Sequence, residues 1–127
     1  MISNFLIINC IGKDDKLGLR INKDFFIHTI DKKNEIKKHL VSEILDFLNR
    51  HNVKLNERFS VIVNQGPGSF SGVRIALAIA KGLEISKKVK IFGFRNTDLK
   101  QFDQENVEKL LDEKLIEKKL IKAIYLS

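Results

Sequence analysis

A single cysteine, a single proline and no tryptophan already rule out several architectures for this chain of 127 residues. With Cys10 alone there is no internal disulfide and no zinc site built on paired cysteines. That usage suits a reducing compartment, so a cytoplasmic setting is expected. No apolar run nears the roughly 18 residues of a membrane-spanning helix. The first residues show no basic stretch and no small-residue cleavage site, so a signal peptide is not expected. The three histidines, His28, His39 and His51, lie eleven and twelve residues apart. They read as ordinary strand or polar-face residues, because a catalytic metal takes several ligands that converge. Acid is scarcer than base, 16 residues against 23, for a formal charge of +7. That charge permits nucleic-acid contact, but the excess is mostly lysine in a chain rich in Lys, Ile and Asn. No aromatic-basic motif of an RNA module accompanies it, so compositional bias is the preferred account.

What is present is a globular composition, 43% hydrophobic and 31% charged, enough for one domain with a real core. Short apolar or alternating runs predict strands over 5–11, 17–21 and 25–30, joined by polar turns as an antiparallel meander. The period then changes. At about 100° per residue, Ile36, Leu40, Val41, Ile44, Leu45, Phe47 and Leu48 fall on one half of a helix 36–50. That half is wider than the roughly 100° stripe that one sheet face requires. A fourth strand is predicted over 59–64, a second helix over 71–85 and a fifth strand over 90–94. A third helix is predicted over about 104–118, then an extended tail or short strand over 120–126. The second helix is apolar nearly all round, with Gly72, Ala76 and Ala80 as a small-residue ridge at every fourth position. The order is β-β-β-α-β-α-β-α, with no internal repeat and no linker.

Between the fourth strand and the second helix lies Gly66-Pro67-Gly68-Ser69-Phe70-Ser71-Gly72-Val73-Arg74-Ile75. Glycines that tolerate bare backbone contact precede a helix, and Ser69 and Ser71 are both candidate caps. Phosphate binding at the helix N-terminus is one reading. Neither a Walker spacing nor a G-x-G-x-x-G is met. A strand-to-helix turn that brings the helix close to the sheet is the preferred physical reading.

The ten-residue block, with Ala80-Lys81-Gly82-Leu83 beyond it, resembles the signature of the TsaB family, also called YeaZ: G-P-G-S-F-[ST]-G-[LV]-R-[IV] and a following A-x-G-L. The ending, Ala123-Ile124-Tyr125-Leu126, is similar to the family's P-x-Y-L-R tail. The resemblance implies an α/β, ribonuclease-H-like fold of the actin-like ATPase superfamily: a single lobe with a mixed five-stranded sheet. Residues 1–95 correspond to the family's N-terminal lobe, and 96–127 to a C-terminal helix and tail. Most of the second lobe is missing between them.

The resemblance further implies a non-catalytic accessory subunit. It would bind a TsaD-like transferase as a heterodimer and support threonylcarbamoylation of the adenosine beside the anticodon of tRNA. Homodimerisation through the same helices, a TsaE-like ATPase as a third component and indirect contact with tRNA are also implied. Neither a cofactor nor a metal is expected. The superfamily's first strand ends in an aspartate that helps hold nucleotide and metal, whereas this chain has Asn9, without the charge a magnesium ion wants. The catalytic paralogue's H-x-x-x-H pair is absent, and Ser69 and Ser71 have no visible His or Asp partner. The expected partner interface is built from the outer sides of the two helices, through Leu40, Ile44, Phe47, Gly72, Val73, Ala76 and Ala80. Gly66, Pro67, Gly68, Ser69, Phe70 and Gly72 form the structural glycine loop. A self-associating domain without the tRNA role is the alternative, and a nucleotide-dependent enzyme is disfavoured by Asn9 and the missing lobe.

Overall fold

The structure, a computed structural model, describes residues 3–12, 15–30, 36–68 and 70–116, the side chains of 36–39 and of Phe70 excepted. Five strands form one sheet. β1 (Phe5–Asn9), β2 (Lys16–Ile21) and β3 (Asp24–Thr29) make the antiparallel meander, and β4 (Ser60–Asn64) and β5 (Lys90–Phe94) run parallel to β1. The spatial order is β3-β2-β1-β4-β5, which puts β1 at the centre. Strands buried on both faces read as continuous apolar runs, and Phe5, Leu6, Ile7 and Ile8 are all fully buried.

Alternate residues of each strand serve opposite faces. Leu6, Ile8, Val61 and Val63 pack under α1 (Ile36–Arg50) and α2 (Phe70–Lys87). Phe5, Ile7 and Ile62 join a second core with α3 (Gln104–Asp112), through Val107 and Leu110. The result is three layers, two helices over one face and one over the other. The predicted element order is observed.

The turns explain the boundaries. Asn22 and Lys23 both have positive φ, 51° and 80°, the geometry of a two-residue hairpin whose twist matches its strands. α1 stops at Asn52, with φ 55°, and the Val53 N–H then bonds back to the Leu48 carbonyl at 3.0 Å. α3 ends six residues earlier than the periodicity predicts. Lys114 takes the left-handed conformation with φ 56°, and Leu115 N–H bonds to the Leu110 carbonyl at 2.9 Å. This is a Schellman-type stop made without glycine, and Leu115 folds back onto the core beside α3. The predicted tail strand lies outside the described residues.

Candidate partner interface and the glycine loop

α1 and α2 lie side by side on one sheet face, and each has a broader apolar surface than the sheet can cover. The structure corrects which residues form the surplus. Leu40, Ile44, Phe47, Val73, Ala76 and Ala80 are each at most 2% exposed, and Gly72 is buried with them. These six apolar side chains belong to the core cluster that includes Leu6, Ile8, Val61 and Val63. The ridge Gly72-Ala76-Ala80 thus serves the chain's own packing and lets α2 approach the sheet closely. Periodicity reveals a wide stripe but not which part of it the sheet occupies.

The open surplus lies one residue along on α1 and across the helix on α2. Val41 and Leu45 are 48% and 45% exposed, and Ile85 is 73% exposed. At about 100° per residue, Ala78, Gly82 and Ile85 share the side of α2 opposite Ala76, and all three are exposed. Gly82 is the informative member. A Cβ added there would meet nothing within 4 Å. Glycine inside a helix costs roughly 0.5–1 kcal/mol relative to alanine, and nothing within the described chain requires it.

The glycine loop, by contrast, is explained internally. Gly66 has φ 94°, which favours glycine. Its N–H donates to Asn64 Oδ1 at 2.9 Å, and its carbonyl accepts from Asn96 N–H at 2.8 Å. The Gly66–Pro67 peptide is cis. A Cβ on Gly68 would stand 2.7 Å from Ile11 Cβ and 3.0 Å from the Ile11 carbonyl oxygen, so α2 begins in close contact with the exit of β1. Pro67 is half-buried. Ser69 and the Phe70 side chain lie outside the described residues. Ser71 sits inside α2, so it is not the residue preceding the helix.

At the same end of the sheet, three asparagines share one network that no sequence motif marks. Asn64 spends its carbonyl oxygen on Gly66 N–H. Its Nδ2 donates to Asn9 Oδ1 at 2.6 Å and to Asn96 Oδ1 at 3.1 Å. Asn9 therefore acts as a buried hydrogen-bond acceptor at the end of β1. A cleft of about 360 Å³ opens beside it, lined by Asn9, Lys16, Asn96, Lys100 and Phe102 among others. Its ionisable lining is cationic, which is unsuited to a divalent cation. The only sequence-level signal was a polar residue, Asn64, closing an apolar strand.

Cys10, His28 and His51 make contacts within the domain. Burial pushes the Cys10 thiol well above its ordinary range, and the charges of Asp15 and Glu43 add to the effect. A thiol held protonated is a poor nucleophile. His28 bridges α1 from β3, with Nε2 3.3 Å from Glu43 Oε1 and Nδ1 3.2 Å from Arg50 Nη2. His51 stacks on Phe26 with centroids 4.1 Å apart. The His39 side chain lies outside the described residues. Among the described residues no three His, Cys, Asp or Glu side chains converge as a metal site, and no helix is long and apolar enough to cross a membrane.

Comparison with known proteins agrees with this geometry. Residues 32–99 match the family model described as TsaD: tRNA N6-adenosine threonylcarbamoyltransferase. The "tRNA threonylcarbamoyladenosine biosynthesis protein TsaB" of Buchnera aphidicola subsp. Acyrthosiphon pisum (strain APS) is 31% identical over 88 residues, 68% of this chain and 40% of that protein. The protein of the same name from Buchnera aphidicola subsp. Baizongia pistaciae (strain Bp) is 43% identical over 53 residues, 42% of this chain and 24% of its own length. The structure of YeaZ from Pseudomonas aeruginosa superposes with a TM-score of 0.67 at 19% identity, over 89% of this chain and 50% of that one. This likeness establishes the ribonuclease-H-like single lobe. The chain spans less than half the length of these curated relatives and half of the solved structure. On the family model and these relatives together, the chain belongs to the TsaB/YeaZ family, within the group that the TsaD model describes.

Proposed function

We propose that this chain is an accessory, non-catalytic subunit in the biosynthesis of tRNA threonylcarbamoyladenosine. It docks on a TsaD-type transferase through the outer faces of α1 and α2, and the transferase carries the chemistry. The observation that carries the reading is the unpartnered surface of Val41, Leu45, Ala78, Gly82 and Ile85 on a chain whose relatives bear the TsaB name. Exposed apolar patches on two adjacent helices mark association sites, and small residues set how close two helix axes come. The replacement of the fold's strand-end carboxylate by Asn9 supports an accessory role. A TsaE-like ATPase joining the complex belongs to the same reading.

Co-expression with the TsaD-type subunit of the same organism tests it. The tagged chain is expected to retain that subunit through size-exclusion chromatography. Leu45→Glu combined with Gly82→Arg is expected to abolish retention while circular dichroism stays native. A wild-type chain that migrates without the transferase subunit, as monomer or homodimer, overturns the proposal.

A further inference from the structure

Among the described residues the charges are unevenly distributed. α3 and its flanks carry Asp103, Glu105, Glu108, Asp112 and Glu113 against Lys109 and Lys114. The opposite sign gathers where β1, β4 and β5 begin. There the hairpin turn, the connection from α1 to β4 and the end of α2 bring together Lys23, Lys54, Arg58, Lys87, Lys88 and Lys90. Among the described residues Asp24, Glu57 and Glu84 are interspersed, and Glu108 of α3 reaches the start of β1 by pairing with Arg20 at 2.8 Å.

Hydrogen bonds join these connections into one surface. Asn22 N–H donates to Asn4 Oδ1 at 3.1 Å, Ser60 N–H to the Asn4 carbonyl at 3.4 Å, and Lys90 N–H to the Phe59 carbonyl at 3.0 Å. Ser60 pairs with Lys90 in the sheet, and neighbouring strands lie about 4.8 Å apart. Arg58, Lys87, Lys88 and Lys90 therefore crowd the start of two adjacent strands. All six cations are exposed, and among the described residues none forms an ion pair.

Like charges gathered in excess of their counter-charges repel one another. The dipole of α2 accounts for Lys87 and Lys88 at its C-terminus, but not for Lys23, Arg58 or Lys90. Among the described residues at this end Phe59 is buried and no aromatic ring is fully exposed, so they offer no platform on which bases could stack. Cations without a stacking platform suit phosphates rather than bases. The surface also adjoins the candidate interface, because α2 presents Gly82 and Ile85 and then ends at Lys87. A partner seated on α1 and α2 would have this surface at its border.

We infer that the end of the domain formed by Lys23, Lys54, Arg58, Lys87, Lys88 and Lys90 contacts the phosphate backbone of an RNA, independently of sequence. The choice of RNA over another polyanion rests on the proposed role in tRNA modification. The test measures binding of the full chain, alone and with the transferase subunit, to an unmodified tRNA transcript and to an unrelated RNA hairpin across 50–200 mM salt. The triple variant Arg58→Gln, Lys87→Gln, Lys90→Gln is expected to bind both RNAs more weakly. Its log–log salt slope should be shallower by about 3, one per lost phosphate contact. Lys16→Gln with Lys100→Gln, at the other end of the strands, is expected to leave the slope unchanged.

An unchanged slope in the triple variant overturns the inference, as does an equal loss in the Lys16/Lys100 pair. Salt-sensitive binding to vesicles of phosphatidylserine and phosphatidylcholine, without binding to RNA, assigns the surface to membranes and also overturns it. Retention of the transferase subunit is scored in the same samples. A triple variant that keeps the subunit and loses RNA supports both readings. A wild-type chain that binds RNA but not the subunit sinks the proposed function alone.

Discussion

Gly82 offers the sharpest single test of the exposed helix face. It occupies the interior of α2, and a Cβ built on it meets nothing within 4 Å. Replacing it with alanine adds a methyl group to open solvent and narrows the unfolded chain's conformational freedom, so Gly82→Ala should stabilise the isolated chain by roughly 0.5–1 kcal/mol. For a domain of this size, that raises the melting temperature by about 2–5 °C. Differential scanning calorimetry at fixed protein concentration measures it. The same change adds bulk where a partner helix is proposed to approach, so affinity for the transferase subunit should fall while stability rises. Gly82→Arg should leave the monomer folded and eliminate binding. Opposite signs for stability and association are the signature of a glycine kept for a partner. If Gly82→Ala lowers the melting temperature, the outward face of α2 is not open. If it raises both stability and affinity, the glycine serves no close approach.

The inward face of α2 predicts the reverse. Ala76→Arg or Ala80→Arg places an unpaired charge in the core and should cost at least about 3 kcal/mol, enough to lose the native circular dichroism spectrum before association can be measured; a folded, non-associating Ala80→Arg would contradict the burial described above. Gly68→Ala drives a methyl group against the Ile11 backbone and should destabilise by roughly 1–3 kcal/mol in urea denaturation, with no change if the loop merely frames a ligand. The Cys10 thiol keeps its proton in the folded state, whereas the unfolded chain releases it above about pH 8.5. The unfolded state then binds fewer protons, so stability falls with rising pH by up to about 1.4 kcal/mol per unit. Denaturation midpoints between pH 7.5 and 10.5 should decline less steeply in Cys10→Ala than in the wild type, and parallel declines would refute the assignment.

The element order is legible in the order of the residues, because the switch between strand-like runs and a 3.6-residue period is written in which residues are apolar. The order of the residues also determined the family, through the ten-residue block at 66–75, and the close approach at Gly68, since only glycine allows backbone to meet backbone there. Tertiary structure decided the rest. The side of α2 that meets the sheet could not be read from a helix apolar nearly all round, and only packing put Ala76 and Ala80 inside and Gly82 outside. The stop at Lys114 was invisible because a lysine took a conformation usually left to glycine. The asparagine network needed two strand ends, residues 9 and 64, and the turn after β5, residue 96, brought together, and their amides orient one another only in space. The cationic end likewise arises from three connections distant in sequence, which the sheet collects because its parallel strands all begin on the same side.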